Sequence, residues 1–420
     1  MLYKNFYEKY QFSDYFKTEL PDYWSEKRLS VLALEDKGAF VDGPFGSDLK
    51  STEYIDDGVP LIQLNNIRDS KHLMQNIKFV SEEKKLELFR HIAIPGDVVI
   101  AKMADPVARA AIVNDTYLEY VIVADCVKFT PNLKLINLRY LVWAINCDHV
   151  RLNAELVSTG TTRVRINLSE LKKLKIPYPP MKEQTQIASF LDHETAKIDT
   201  LIEKQQQLIA LLKEKRQAVI SHAVTKGLNP NAKMKDSGVE WLGEVPEGWE
   251  VKRLKHISPK IGVGLVINPS TYTRDEGVYF IFGGDVREYG FDLSNTRRIS
   301  PEDSNTLLPS RLNHRDVVSV RVGYPGITAV VTEKLEGSNC ASIIIIRKGS
   351  YNSDWLCAAM NIWIGRQQVE LASYGAAQKQ FNVADAIEFI FPAPPRKEQD
   401  DIANFVAKKL VLFNPTLSAP

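Results

Sequence analysis

The stretch Ile176-Pro177-Tyr178-Pro179-Pro180-Met181-Lys182-Glu183-Gln184 occurs a second time as Phe391-Pro392-Ala393-Pro394-Pro395-Arg396-Lys397-Glu398-Gln399. The residues that follow also correspond, because Ile187-Ala188-Ser189-Phe190 is matched by Ile402-Ala403-Asn404-Phe405. Both pairs of segments are separated by 215 positions. Self-similarity at a fixed spacing indicates an internal repeat.

Further matches lie upstream, and they occur in the same order in both copies. Residues 20–29 and 245–254 share Pro, Trp, Lys, Arg and Leu at an offset of 225. Residues 96–99 correspond to 315–318 at an offset of 219, and residues 155–160 to 370–375 at 215. The period is too long for a solenoid, so each copy is predicted to be a domain.

Each copy combines strand-like and helix-like patterns, which predicts an α+β fold. Ser81 and Ser300 are predicted helix N-caps, the second with Pro at the first helical position. Residues 138–156, and their counterpart beginning at Trp355, are predicted to form an amphipathic helix. The β-branched run 343–346 indicates a buried strand. Other predicted strands cover residues 58–64, 97–102, 120–123, 316–321 and 329–331.

A long helix is predicted between the copies, over residues 181–228. Its positions step by alternating fours and threes, as in a coiled-coil seam, and Gly227 and Pro230 are stop signals. Some 45 residues span about 65 Å, so the helix is interpreted as a spacer. Its natural partner is the segment after the second copy; the alternative is a surface helix packed on one domain. The predicted pairing residues are Ile187, Leu191, Ile198, Leu201, Leu208, Leu212 and Val219.

The composition is that of an ordinary soluble protein. The chain has 420 residues with 53 basic and 52 acidic side chains, and this balance argues mildly against DNA binding by the chain alone. No run approaches the roughly 18 apolar residues of a membrane span, and residues 1–9 lack a signal-peptide core. A cytoplasmic protein is expected, with Cys126, Cys147, Cys340 and Cys357 as free thiols.

The sequence contains no recognisable catalytic motif. A phosphate-binding GxxxxGK[ST] loop is absent. The Asn/Asp-Pro-Pro-aromatic signature of amino-methyltransferases is also absent, and residues 105–107 and 268–270 only approach it. The pair Gly262 and Gly264 lacks the context of a nucleotide loop and is interpreted as a plain loop. No catalytic residue and no metal site are assigned.

Polar loops after the predicted domain helix are the candidate binding sites. Residues 158–167 and 373–382 share a frame but differ in side chains, and Arg, Gln, Lys and hydroxyl groups suit phosphates and base edges. Residues 43–47 and 321–326 are further candidate loops, because Gly permits close approach. Solvated loops and plain turns are the alternatives. The candidate DNA-binding residues are Ser47, Thr161, Thr162, Arg163, Arg165, Arg321, Tyr324, Gln378, Lys379 and Gln380.

With these features the chain resembles the specificity (S) subunits of type I restriction–modification systems. The resemblance rests on residues 176–192, on Thr195, on residues 197–202 and 213–216, and on the linker 235–249, and it extends over nearly the whole chain. It implies two target-recognition domains that each recognise half of a bipartite DNA site, with paired helices fixing the gap. It also implies two methyltransferase subunits that use S-adenosylmethionine, and restriction subunits that use ATP and magnesium.

The expected organisation has four parts. Target-recognition domain 1 covers residues 1–180, the central helix 181–228, target-recognition domain 2 residues 229–395, and a truncated second helix with its tail 396–420. The chain would be a non-catalytic subunit of a type I site-specific deoxyribonuclease and adenine methyltransferase. The truncation is expected to weaken assembly or to let two chains pair through their central helices. The alternatives are a coiled-coil adaptor unrelated to DNA and a self-sufficient DNA enzyme.

Overall fold

The computed structural model describes residues 7–103, 106–160, 164–266, 268–375 and 378–413, without the side chains of residues 412 and 413. The chain divides into two compact units, residues 1–202 (unit 1) and 203–420 (unit 2). The division falls inside one long helix. No described helix combines the length and the apolar character that crossing a membrane requires.

Unit 1 contains fourteen described strands, most of them short, and the helices between them. The strands are β1 (Tyr10–Ser13), β2 (Thr18–Pro21), β3 (Ser25–Arg28), β4 (Phe40–Asp42), β5 (Val59–Ile62), β6 (Ile67–Arg68), β7 (Lys71–His72), β8 (Phe79–Val80), β9 (Ile92–Ala93), β10 (Val98–Ala101), β11 (Ala110–Ile112), β12 (Tyr120–Ile122), β13 (Cys126–Phe129) and β14 (Lys175–Tyr178). The helices are α1 (Glu82–Glu87), α2 (Leu138–Asn146), α3 (Asp148–Leu156) and α4 (Leu168–Lys173), and the long helix α5 (Met181–Lys226) begins in unit 1 and continues into unit 2.

Unit 1 is built around an antiparallel sheet of order β11-β10-β13-β4. Alternate side chains of its strand β10 enter two different cores, because successive residues of a strand point to opposite faces. Val98 and Ile100 pack with the helices α2 and α3. Val99 and Ala101 pack with a second sheet of order β8-β5-β12-β9. The central strand is therefore apolar throughout rather than alternating.

Unit 2 repeats this plan. Its strands are β15 (Met234–Asp236), β16 (Glu244–Pro246), β17 (Glu250–Arg253), β18 (Ile261–Val263), β19 (Val278–Ile281), β20 (Val286–Arg287), β21 (Gly290–Phe291), β22 (Arg297–Ile299), β23 (Val317–Val320), β24 (Thr328–Val330), β25 (Asn339–Cys340), β26 (Ile343–Ile346) and β27 (Ile390–Ala393). Its helices are α6 (Leu254–Ile257), α7 (Pro301–Thr306), α8 (Ser353–Asn361), α9 (Trp363–Ala372), α10 (Val383–Ala386) and α11 (Arg396–Phe413).

The topology of the two units confirms the predicted duplication. The sheet β24-β23-β26-β18 of unit 2 has the same strand order as β11-β10-β13-β4 of unit 1. In the second sheets, β5 and β12 pair in parallel, and so do β19 and β25. The two repeat motifs at the ends of each unit also pair, as β3 with β14 and as β17 with β27.

Several predicted elements are confirmed, with boundaries shifted by one or two residues. Ser81 and Ser300 are N-caps, accepting from the N–H groups of Lys84 at 3.2 Å and Asp303 at 3.0 Å. The run 343–346 is a fully buried strand. The prediction of a plain loop at Gly262 and Gly264 was wrong, because residues 261–263 form β18 and pair with β26.

The predicted single helix over residues 138–156 was also wrong, because it is broken into α2 and α3. Cys147 between them has extended φ and ψ of −72° and 150°. The side chain of Asn146 is drawn to strand β11, where it accepts from Ala110 N at 2.9 Å and donates to Ala110 O at 2.8 Å. The same break occurs in unit 2 at Ile362, after Asn361.

Helix α5 has 46 residues, which confirms the predicted long helix between the two copies. Its ends are buried in the core of each unit, through Ala188 in unit 1 and Ile220 in unit 2. Its middle is exposed, with Ile198 56% and Leu201 57% accessible. The helix after the second copy, α11, has 18 described residues and packs in unit 2 through Ile402 and its neighbours.

Candidate nucleic-acid interface

Each unit carries a hairpin immediately after its second domain helix, α3 or α9. In unit 1, Thr159 and Arg165 exchange two backbone hydrogen bonds of 3.0 and 2.9 Å. In unit 2, Tyr374 and Gln380 do the same at 2.9 Å in both directions. The next residue, Gly160 or Gly375, has a positive φ of 108° or 103°, which favours glycine. The hairpin frame is therefore common to the two units.

Part of each hairpin tip lies outside the described residues. Thr161, Thr162 and Arg163, three of the predicted DNA-binding residues, are in this part. The remaining candidates are described, and they are distributed over the hairpin and two neighbouring loops.

The hairpins lie against the loops that follow the central strands β10 and β23. In unit 1, Ile166 N donates to Lys102 O at 3.0 Å. In unit 2, Gly323 N donates to Lys379 O at 3.1 Å, and Val322 forms a bridge with Gln380. The structure thus brings together two segments, 321–326 and 373–382, that are about 50 residues apart in the chain.

The side chains of unit 2 form a polar group around Arg321. Its Nε donates to Phe381 O at 3.1 Å and its Nη2 to Gln380 Oε1 at 3.3 Å. Tyr324 is 81% exposed on the adjacent loop. Gln378 is exposed, and Lys379 forms an ion pair with Glu370. Arginine and amide groups at this surface are suited to phosphates and base edges.

The corresponding side chains of unit 1 are tied into ion pairs. Arg165 Nη2 lies 2.7 Å from Asp125 Oδ1. Lys102, which is only 4% exposed, forms an ion pair with Asp42 beneath the hairpin. Lys102 was not among the predicted residues, although the offset of 219 aligns it with Arg321.

The loop of residues 43–47 has a different role at each end. A Cβ at Gly43 would lie 2.0 Å from Val123 O, so this glycine is required by packing against the neighbouring backbone. Gly264 is in the same situation, 2.4 Å from Cys340 O. Ser47 is exposed and donates to Asp48 Oδ1 at 3.0 Å. Within the described part of unit 1, no hydrogen bond or ion pair joins Ser47 to the hairpin.

The described cysteines are poorly suited to nucleophilic or metal chemistry. Burial raises the pKa of Cys340 to about 12, and it raises the pKa of Cys126 and Cys357 as well. These thiols therefore stay protonated and inert near neutral pH. Within the described part of the chain, no three His, Cys, Asp or Glu side chains are grouped to hold a metal ion.

Known proteins share both the sequence pattern and the fold. A family model for the type I restriction modification DNA specificity domain matches residues 58–211. The chain is 30% identical over 364 residues to the EcoKI specificity subunit from Escherichia coli (strain K12), covering 84% of this chain and 75% of that subunit. It is 25% identical over 406 residues to the StySPI specificity subunit from Salmonella potsdam, covering 92% and 82%.

A solved structure agrees at the level of the fold. One chain from a structural study of complex assembly and conformational transition of the type I R-M system superimposes with a TM-score of 0.68. The alignment covers 95% of this chain and 93% of that chain, at 16% identity.

Proposed function

Because this chain belongs to the family of type I restriction enzyme specificity subunits, we propose that each of its units recognises one half of a bipartite DNA target. The observation that carries the proposal is the hairpin surface, which has one backbone frame in both units but different side chains. A common frame with variable donors and acceptors is what recognition of two different sequences requires. Arg165 and Gln380 occupy the same bridge position and illustrate the difference.

The proposed organisation has four parts. Residues 1–180 and 229–395 are the two target-recognition domains, 181–228 is the spacer helix, and 396–420 is the second spacer segment with its tail. The duplicated topology of the units supports this division. A helix of 46 residues supports the role of a spacer, because it extends for about 70 Å at 1.5 Å per residue.

The proposed partners carry out the chemistry. Two methyltransferase subunits with S-adenosylmethionine, and restriction subunits with ATP and magnesium, would together form a site-specific deoxyribonuclease and adenine methyltransferase. Two similar surfaces on one chain support the binding of two copies of one partner. This chain would contribute recognition of the DNA target. Its proposed location is the cytoplasm, together with the DNA and these partners.

Self-association through the middle of α5 is a second part of the proposal. Ile198, Leu201, Leu208 and Leu212 recur at coiled-coil spacing and are between 41% and 57% exposed. Burying such a seam against a second copy removes apolar surface from water. Light scattering of the purified chain tests this point, and a well-behaved monomer at high concentration contradicts it.

The decisive experiment maps methylated adenines in cells with and without the gene. Recognition by this chain predicts one motif with two half-sites and a fixed gap, present only with the gene. A chimera in which residues 373–382 are replaced by residues 158–167 should change one half-site and leave the other and the gap unaltered. An unchanged methylation pattern after deletion of the gene contradicts the proposed function.

A further inference from the structure

Four positions beneath the hairpins carry different charges in the two units, and strand register makes them equivalent. Lys102 and Arg321 each follow the last residue of the central strand, β10 or β23. Asp42 and Val263 each end the edge strand, β4 or β18. Both edge strands pair antiparallel with the strand next to the central one, β13 or β26.

The other two positions correspond equally closely. Asp125 and Ser342 each come directly before that neighbouring strand, and both have the left-handed backbone, with φ of 64° and 57°. Arg165 and Gln380 close the two hairpins through the same backbone bridge. The four positions of unit 1 can therefore be compared with those of unit 2 one by one.

In unit 1 the charges at these positions cancel. Lys102 is paired with Asp42, and Arg165 with Asp125, so two cations face two carboxylates. Arg109, another cation near Cys126, is buried and already has an interaction partner. The base of this hairpin therefore presents no uncompensated positive charge from these residues.

In unit 2 a single cation remains. Val263, Ser342 and Gln380 are neutral, and only Arg321 keeps its charge. Its hydrogen bonds go to neutral oxygens, those of the Phe381 carbonyl and the Gln380 amide. Within the described part of unit 2, Arg321 forms no ion pair, and its Nη1 donates no hydrogen bond.

The cation of the unit 2 hairpin is compensated. Lys379 on the hairpin is neutralised by Glu370. Among these described residues, the guanidinium of Arg321 is therefore an uncompensated charge.

We propose that Arg321 binds a DNA backbone phosphate and that the corresponding position of unit 1 makes no such contact, so the two units hold their half-sites unequally. The inference rests on the proposed function and names one contact within it. An arginine that is held on one side by neutral acceptors is pre-oriented, and its free Nη1 end can meet a phosphate oxygen. Each phosphate neutralised by a protein cation releases counterions, which makes the contribution measurable.

The test measures the affinity of the full chain for a fluorescent duplex of random sequence at several salt concentrations. One phosphate contact accounts for about 0.9 in the slope of log K against log salt. Arg321→Met should therefore reduce the magnitude of the slope by about that amount, while Arg321→Lys, which retains the charge, should preserve it.

Two further variants transfer the charge pattern between the units. Val263→Asp places a carboxylate where unit 1 has Asp42, and it should reduce the slope as Arg321→Met does; Val263→Asn is the neutral control and should not. Asp125→Asn in unit 1 releases Arg165, whose side chain is half exposed, from its ion pair, and it should increase the magnitude of the slope by about 0.9.

The outcomes separate the inference from the function on which it rests. Salt-dependent binding by the wild type, with unchanged slopes in Arg321→Met and Val263→Asp, overturns the inference alone. A wild-type chain that shows no salt-dependent binding overturns the inference, and the methylation map decides separately whether DNA is recognised through this chain. Thermal unfolding of each variant identifies any that is not folded, and the remaining substitutions then decide the question.

Discussion

Trp249 donates from its indole Nε1 to Glu398 Oε2 at 2.8 Å and so connects the start of the second repeat to its end. The two residues are 149 positions apart. In unit 1 the same bond joins Trp24 to Glu183 at 3.1 Å, but there Glu183 also accepts from the hydroxyl groups of Tyr7 and Tyr23. The closing contact of the repeat is therefore duplicated, while its surroundings differ.

This difference predicts unequal effects of the same substitution. Trp249→Phe removes the hydrogen bond of a residue that is 1% exposed and leaves Glu398 without its indole donor, so a loss of about 2–3 kcal/mol is expected. Trp24→Phe should cost about 1 kcal/mol, because two tyrosine donors remain on Glu183. Urea unfolding of both variants provides the measurement. Equal losses would contradict the role given to the tyrosines.

A second prediction concerns the attachment of helix α5 to unit 2. The carboxylate of Glu288 accepts a hydrogen bond from Arg216 Nη2 of α5 at 3.1 Å and another from Arg366 Nη2 of α9 at 2.9 Å. Removing this carboxylate leaves two partly buried guanidinium groups unpaired, so Glu288→Gln should destabilise unit 2 by about 1–3 kcal/mol. Thermal denaturation measures the loss.

A matched control for this substitution lies on the exposed middle of the same helix. Glu194 forms an i, i+3 pair with Lys197, and Glu194→Gln should leave the unfolding temperature nearly unchanged, because exposed pairs contribute little. If the two carboxylate variants unfold at the same temperature, Glu288 does not anchor the helix.

The third prediction concerns the side chain at the end of α8. Asn361 is fully buried, accepts from Thr328 N at 3.0 Å and donates to Thr328 O at 2.7 Å. Asn361→Ala leaves both backbone groups buried without this partner, so a loss of about 2–4 kcal/mol is expected. Gln207→Ala on the exposed face of α5 is the control and should be nearly neutral. Urea denaturation of both variants, fitted with one common m-value, compares their free energies of unfolding.

The fourth prediction is a pH dependence in unit 1. Burial lowers the pKa of His72 from 6.5 to about 4, because the charged imidazole would lose its hydration. His72 therefore takes up a proton below about pH 6.5 in the unfolded chain but only below about pH 4 in the folded chain. The free energy of unfolding should fall as the pH decreases from 6.5 to 4. His72→Gln should flatten that part of the stability curve. Parallel melting-temperature profiles for the two proteins between pH 4 and 6.5 would show the idea to be wrong.

The sequence was sufficient to predict the duplication, the long helix and most central strands, because repeated motifs and apolar runs can be recognised in the sequence itself. It was not sufficient for the break at Cys147, since that break depends on Asn146 reaching a strand that is distant in the chain. The strand at residues 261–263 was missed for a similar reason, because it pairs with residues 344–346, which are distant in the chain.

The candidate site was predicted in outline. Sequence comparison of the two copies located both polar segments as loops and identified Arg321 and Gln380, whose Nη2 and Oε1 atoms lie 3.3 Å apart. It did not identify the ion pair of Lys102 with Asp42, because these residues are 60 positions apart and meet only through strand register. The DNA-binding role of the candidates stays a prediction, and the tip residues 161–163 lie outside the described residues.

The hairpin frames are held by backbone hydrogen bonds and by glycines with positive φ, and these bonds do not depend on the identity of the other side chains. Mutation can therefore change these side chains while the surrounding scaffold is preserved. The repeat motifs form equivalent strand pairs in the two units, β3 with β14 and β17 with β27. A genetic crossover within these motifs would therefore join halves of different origin at matching ends. Such an architecture favours rapid diversification by shuffling, in which new combinations of half-sites arise without a new fold.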